Sequence, residues 1–208
     1  VGFKAVHGGP ISGAVRVDGE VIATMERFAD VAPAHNPPYI AAMRSFAKRL
    51  PDAPQVAAFE TGFHQTIPMK RQVYAIPWEW TEMGVRRYGF HGASHRYIAV
   101  RTGEILPGAK RVISLHLGGS CSICAINDGQ SVANSFGMTA QSGVFHNNRV
   151  GDFDAFALLK LLAAGIDLDT IWQRLGKEGG LLGISGVSSD MREVEDAAAE
   201  GHERAQLA

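Results

Sequence analysis

The chain has 208 residues, 46% of them hydrophobic and 20% charged, with a formal net charge of −1 at pH 7. That balance suits a folded globular protein and leaves no basic footprint, which argues against a nucleic-acid binder or a chain held by charge to an anionic membrane. Nothing approaches the roughly 20-residue apolar run of a membrane span, and two cysteines cannot build a disulfide framework, so a reducing cytoplasm is the expected compartment.

The opening, Val1-Gly2-Phe3-Lys4-Ala5-Val6, lacks the charged leader, apolar stretch and cleavage site of a signal peptide. Phe3 to Val6 read as a strand running into the glycine turn His7-Gly8-Gly9-Pro10. Ala14 to Val17 read as a second strand that ends in an Asp18-Gly19 turn. Three prolines between Val31 and Pro38 predict a loop. Pro38 is placed to start a helix with Ile40, Met43, Phe46 and Leu50 on one face, stopped by Pro51. Gln55 to Phe59 is predicted as a buried strand. It delivers Glu60-Thr61-Gly62-Phe63-His64-Gln65-Thr66 at its carboxyl end, where ligands bind in α/β proteins.

Ile76 to Met83 predicts a short helix and Tyr97 to Leu106 a longer one. Arg111 to Leu117 and Cys121 to Ile126 read as strands around Gly118-Gly119-Ser120. Asp128-Gly129 marks a hairpin to a third strand, Ser131-Val132-Ala133. Ser142 to Asp154 is loop-like. Phe153, Phe156, Leu158, Leu159, Leu161 and Leu162 predict one helix, and Ile171, Trp172 and Leu175 another with Asp167 as N-cap. Leu181 to Arg192 reads as a small-residue loop opening a last helix. Helices interleave with strands, so the fold class is α/β. The chain starts without Met inside a strand pattern and stops within a helical one at Glu200 to Ala208. It is therefore expected to be a piece of a longer protein.

Several groups can carry chemistry, each beside a plainer reading. His91 and His95, in Tyr88-Gly89-Phe90-His91-Gly92-Ala93-Ser94-His95, have the spacing that puts two side chains on one helix face. Zinc hydrolases with that spacing carry a glutamate between the histidines; here Gly, Ala and Ser stand there, and Gly92 disfavours a helix. A metal site and two structural histidines are the two readings, the second being the default. Cys121 and Cys124 match C-x-x-C, but residues three apart on a strand face opposite ways, so they are read as packing residues. Gly118-Gly119-Ser120 and Ser188-Ser189-Asp190 are each an ordinary turn or cap, or an anion site. Glu60 can hold a metal, position a nucleophile or be a plain loop carboxylate. Arg149 is a phosphate clamp or a solvated arginine. Together these residue types lean toward phosphate chemistry without deciding it.

Six stretches carry a more specific signal: Val6-His7-Gly8-Gly9, Ala32-Pro33-Ala34-His35-Asn36-Pro37, Phe59 to Thr66, Arg86 to His95, His116-Leu117-Gly118-Gly119, and Gly180 to Arg192. In this order they resemble the acetate kinase (acetate/propionate kinase) family over essentially the whole chain. The phrases Phe-His-Gln-Thr and Gly-Phe-His-Gly-x-Ser-His are the most specific.

The resemblance implies the two-domain actin-like ATPase fold, here incomplete. Residues 1–60 would represent part of a first, acyl- and phosphate-side domain and 61–208 most of a second, nucleotide-side domain. It implies transfer of the ATP γ-phosphoryl group to acetate or propionate, with Mg²⁺, in a cytoplasmic homodimer; the charge balance already argues against nucleic-acid and membrane partners. By position it makes Glu60, His91 and Arg149 catalytic. Lys4, Val6 and Ala34 match the substrate-binding positions. His116, Leu117, Gly118, Gly119, Ser120, Asp190, Met191 and Arg192 match the nucleotide-binding positions. No metal ligand is assigned within the chain, because the family's Mg²⁺-binding residues fall outside it. The family's phosphate loop and later adenosine loop are likewise outside it, so the 208 residues alone are expected to be inactive.

The chain departs from the family pattern at Lys4 (for arginine), Glu60 (for aspartate), Gly119-Ser120 (for Asn-Gly) and the loop His146-Asn147-Asn148-Arg149-Val150-Gly151-Asp152. The last two are similar to a divergent branch of the family. Two competing readings are a metal-dependent hydrolase using His35, His64, His91, His95 and Glu60, and a non-catalytic nucleotide-binding or dimerisation remnant.

Overall fold

The computed structural model describes residues 1–33 and 35–208, so Ala34, expected in an acyl pocket, lies outside the described residues. The chain divides into two compact units, 1–115 with 123–140, and 116–122 with 141–208. The division expected at residue 60 is a different one, drawn on the family's two-domain plan.

The first unit begins with β1 (Gly2–Ala5), β2 (Ala14–Arg16), α1 (Gly19–Arg27), α2 (Asn36–Arg49) and β3 (Val56–Phe59). The sheet order is β1-β3-β2. β1 runs parallel to β3, with Lys4 opposite Ala58 and Ala5 opposite Phe59, and β2 runs antiparallel to β3. Strand alternation sends Phe3, Ala5, Ala57 and Phe59 to one face, where they bury against Val21 and Met25 of α1 and Ile40 and Met43 of α2. Burial of each large apolar side chain there contributes about 1.5–3 kcal/mol. The same alternation turns Lys4 and Ala58 to the opposite face, and Glu60 continues that register past the strand end.

Two expectations change here. Asp18-Gly19 is not a turn but the start of α1: the Asp18 carboxylate accepts the Val21 N–H at 2.9 Å as an N-cap. α2 starts at Asn36, and only its first half is buried; Phe46 and Leu50 are 40% and 48% exposed.

The chain continues with a 3-10 turn (Gly62–Thr66), α3 (Met69–Gln72), α4 (Trp78–Glu82), α5 (Gly92–Ile105), β4 (Arg111–Leu117), β5 (Cys121–Asn127) and β6 (Gln130–Asn134), all in the first unit except residues 116–122. A second sheet has the order β4-β5-β6. Asp128 and Gly129 both take positive φ, 47° and 75°, as a tight hairpin between right-twisted strands requires. Cys124 is buried, Cys121 is half-buried, and both thiols are free. A second cluster packs Tyr88, Phe90 and Phe136 with Val6 and Phe28.

The second unit holds α6 (Ala157–Ala163), α7 (Leu168–Lys177), α8 (Gly180–Ser185), α9 (Met191–Ala199) and α10 (Glu203–Leu207). Asp167 caps α7 as expected, accepting the Thr170 N–H at 2.9 Å. The stretch 181–192 is not one loop: α8 ends at Gly186 in the left-handed region, and Asp190 then caps α9. Several apolar residues before and along α6 are exposed, Phe156 at 79% and Leu159 at 62%. Among the described residues no helix is long and apolar enough to cross a membrane.

Candidate active site

In the first unit the site is built where β3 ends. Glu60 donates its backbone N–H to the Ala5 carbonyl at 2.9 Å, extending the β1–β3 pairing by one step. Its own carbonyl accepts the Gly92 N–H at 3.1 Å, which fastens the start of α5 to the end of β3. A Cβ on Gly92 would lie 2.1 Å from that carbonyl oxygen, so only glycine fits. Sequence reasoning took Gly92 as a reason against a helix. In the structure it is the close contact from which the helix begins. His91, with φ 56° and ψ 30°, is the N-cap residue that turns the chain into α5. Its ring packs edge-on against Phe136, with centroids 5.1 Å apart.

Glu60 is 6% exposed, yet it is charged chemistry in a cleft. Lys4 meets its Oε1 at 2.6 Å, and Oε2 is buried with no hydrogen-bond partner among the described residues. The hydrogen bond that Lys4 donates to Glu60 is the main reason its ammonium is held above the ordinary lysine pKa; burial opposes it. The cleft beside them has a volume of about 420 Å³, and its lining includes Phe63, Gly92, Ala93 and Arg96. Arg96, which the sequence alone did not single out, is exposed at its edge. With α5 starting at Gly92, residues 92, 93 and 96 share one helical face, and that spacing is the signal that would have found it.

Three other histidines, His7, His64 and His95, are buried in packing and hydrogen-bond contacts. His95 is fully buried and its Nδ1 lies 2.9 Å from the Ser114 hydroxyl. His64 donates from Nε2 to the Phe90 carbonyl and accepts at Nδ1 from the Ser131 hydroxyl, both at 2.8 Å. His7 donates from Nε2 to the Met138 carbonyl and accepts the Gly9 N–H at Nδ1, stacked on Phe28. Burial pushes the pKa of both His7 and His64 down to about 4, so each is neutral at pH 7. Among the described residues no three of His, Cys, Asp and Glu gather around a metal position. Val6 packs with Tyr88, Phe90 and Phe136 rather than lining the cleft.

The second unit carries its own cavity of about 730 Å³, lined among others by Gly118, Gly119, His146, Asn147, Asp190 and Met191. Leu117 also lines it, whereas His116, Ser120 and Arg192 do not. Thus two distant stretches of sequence singled out for one ligand, 117–119 and 190–191, face one space. Asn147 donates its backbone N–H to the Gly119 carbonyl at 3.3 Å, and its side-chain amide stands 3.2 Å from where a Gly119 Cβ would be. The Arg192 guanidinium is held on its own N-cap, donating Nε to Asp190 Oδ1 at 3.0 Å and Nη2 to Oδ2 at 2.5 Å. His146 takes the Cys121 N–H on Nδ1 at 2.8 Å, and burial pushes its pKa down to about 4, with the nearby Arg149 charge acting the same way. Arg149 is half-buried, and burial lowers its pKa from the usual arginine value. Glu60, Lys4 and His91 belong to the first unit and Arg149 to the second.

A sequence model described as the acetokinase family matches residues 1–208. The chain belongs to that family. It is 42% identical over 214 residues to an acetate kinase of Geobacillus kaustophilus, covering all of this chain and 54% of that protein. It is 46% identical over 215 residues to a propionate kinase of Citrobacter rodentium, covering all of this chain and 53% of that protein. A crystal structure of a propionate kinase from Francisella tularensis superposes with a TM-score of 0.91 at 39% identity, over 98% of this chain and 54% of that one. The chain thus spans about half the length of the curated relatives it matches. The α/β class and the family fold expected from the sequence are present in this acetokinase-family chain, in part.

Proposed function

We propose that the complete protein is an acyl kinase that phosphorylates acetate or propionate from ATP, reversibly, giving acyl phosphate and ADP. An acyl carboxylate oxygen attacks the γ-phosphorus, and the bond to the β–γ bridging oxygen breaks with its electron pair leaving on ADP. The carboxylate is already ionised near neutral pH, so no general base is needed. The site's task is alignment of two anions and neutralisation of charge on the transferring group. The observation that carries this reading is Glu60: a buried carboxylate at the end of β3, tied to Lys4 and fastened to His91-Gly92, with one oxygen unpartnered.

The roles follow the family positions. His91 and Arg149 stabilise the phosphoryl group, and Glu60 orients the reacting centre. Lys4 stands in the acyl-carboxylate position, and Val6 and Ala34 in the acyl pocket. His116, Leu117, Gly118, Gly119, Ser120, Asp190, Met191 and Arg192 form the nucleotide side; the shared cavity at 117–119 and 190–191 supports that assignment. Mg²⁺ bound with ATP supplies charge neutralisation at the phosphates. A homodimer, a cytoplasmic location and a domain boundary near residue 60 belong to the same reading. Because the chain spans about half its relatives' length, the 208 residues alone are expected not to turn over.

The test is kinetic, in the protein expressed from its complete gene. His91→Ala and Arg149→Ala should each lower kcat far more than they raise KM for acetate, because both act mainly in the transition state. A pure KM effect at either position would refute its role.

A further inference from the structure

A smaller cavity in the first unit has no part in the chemistry proposed above. Its volume is about 150 Å³, and its lining includes Ser12, Thr61, Gln65, Gln72, Arg86 and Tyr88. It shares no lining residue with the cleft beside Glu60. Pockets for drug-sized ligands begin at roughly 300 Å³, so this one has room for a few water-sized groups and not for a nucleotide. Arg86 is the charged residue of the lining, and no lining residue is acidic. Among the described residues no carboxylate lies within ion-pair distance of it.

The walls come from three stretches distant in sequence: the loop after β1, the 3-10 turn after β3, and the segment that leads to His91. Arg86 is fixed on two sides. Its guanidinium carbon lies 4.0 Å from the centre of the Tyr88 ring, and Nη1 donates to Gln72 Oε1 at 2.8 Å. Nε and Nη2 meet no acceptor among the described residues. The Ser12 and Thr61 hydroxyls stand 2.9 Å apart, so one proton joins them and the other is left to donate. Gln72 gives one Nε2 proton to the Ile67 carbonyl and keeps the second. The cavity thus combines a positive charge held in place with more donors than acceptors. Several acceptor oxygens on one anion take up both together.

We infer that this cavity is a binding site for a small inorganic oxyanion of the phosphate and sulfate class, held by the Arg86 guanidinium and the Ser12–Thr61 hydroxyl pair. The inference does not depend on the acyl-kinase reading. A bound oxyanion ties the three stretches to one another, behind the turns that carry Glu60 and His91.

The experiment is calorimetric titration of the protein expressed from its complete gene, with inorganic phosphate and separately with sulfate, near pH 7 and at constant ionic strength. Phosphate should bind with a Kd of about 1 mM. Sulfate should bind within about tenfold of that, because the lining offers donors and no carboxylate to single out a protonated oxygen. Arg86→Gln should weaken phosphate binding by roughly tenfold or more, the loss expected for a charged hydrogen bond, and Arg86→Lys should fall between. Because Arg86→Gln also removes the Gln72 contact, Ser12→Asp is the second variant: it keeps Arg86 and puts a carboxylate into the lining, and it should abolish phosphate binding. Arg149→Gln, which alters the proposed phosphoryl site, should leave this Kd within about twofold of wild type. Phosphate binding that is unchanged in both Arg86→Gln and Ser12→Asp, or that is lost in Arg149→Gln, would overturn the inference. So would the absence of saturable binding of either anion up to about twentyfold the expected Kd.

Discussion

At the scale of residues, the pair Lys4–Glu60 replaces an arginine–aspartate pair expected from the family. The exchange shortens the cation and lengthens the carboxylate, and the two still meet at 2.6 Å. The pair is therefore expected to behave as a unit. Glu60→Asp alone should lower kcat/KM by roughly tenfold or more, and Lys4→Arg with Glu60→Asp should recover most of it. Strictly additive effects in that double-mutant cycle would contradict it. Motifs singled out Glu60 and His91 as candidates in the sequence. The pairing was not legible, because it depends on β1 and β3 lying side by side, which no local pattern states.

His7 and His64 give a second residue-scale expectation. Their folded pKa values, about 4, lie below the ordinary value of 6.5. Below pH 6.5 the unfolded chain binds protons that the native state refuses. Stability is thus full above about pH 6.5 and falls as pH drops toward 4, by roughly 3 kcal/mol for each histidine over the whole window. Urea midpoints from pH 7.5 to 5 should decline accordingly, with the His7 and His64 ring resonances not titrating above pH 5. Rings that titrate near 6.5 would contradict this.

At the scale of elements, the strands and the Asp128-Gly129 hairpin were readable because alternation and turn chemistry are local. Two helix starts were not. The Asp18-Gly19 pair carries the same letters as a turn, and only the Val21 N–H reaching the carboxylate makes it a cap. Asp18→Ala should cost about 1 kcal/mol and Asp18→Asn much less, read by thermal unfolding; equal melting of both would refute the cap. α5 was started too late because Gly92 disfavours helices on average, while here the Glu60 carbonyl leaves no room for a Cβ. Gly92→Ala should destabilise by about 2–3 kcal/mol through that contact and lower Tm by several degrees. A wild-type Tm would mean the β3–α5 junction yields easily. α6 was readable as a helix, shorter than its apolar run, and Phe156 and Leu159 face outward.

At the scale of the whole molecule, the chain folds into two units that each bear part of the expected chemistry. The first holds the Lys4–Glu60 cleft and His91, the second the 117–119 and 190–191 cavity and Arg149. The motifs identified the family from the sequence, and the 0.91 TM-score to a propionate kinase places the fold beside it. The central claim is acyl-phosphate formation by the complete protein. The direct measurement is hydroxylamine trapping with ATP, Mg²⁺ and acetate or propionate, scored as hydroxamate against ADP released. The account predicts hydroxamate and ADP in equal amounts, both abolished by omitting the carboxylate. ADP without hydroxamate, or neither product, would contradict it.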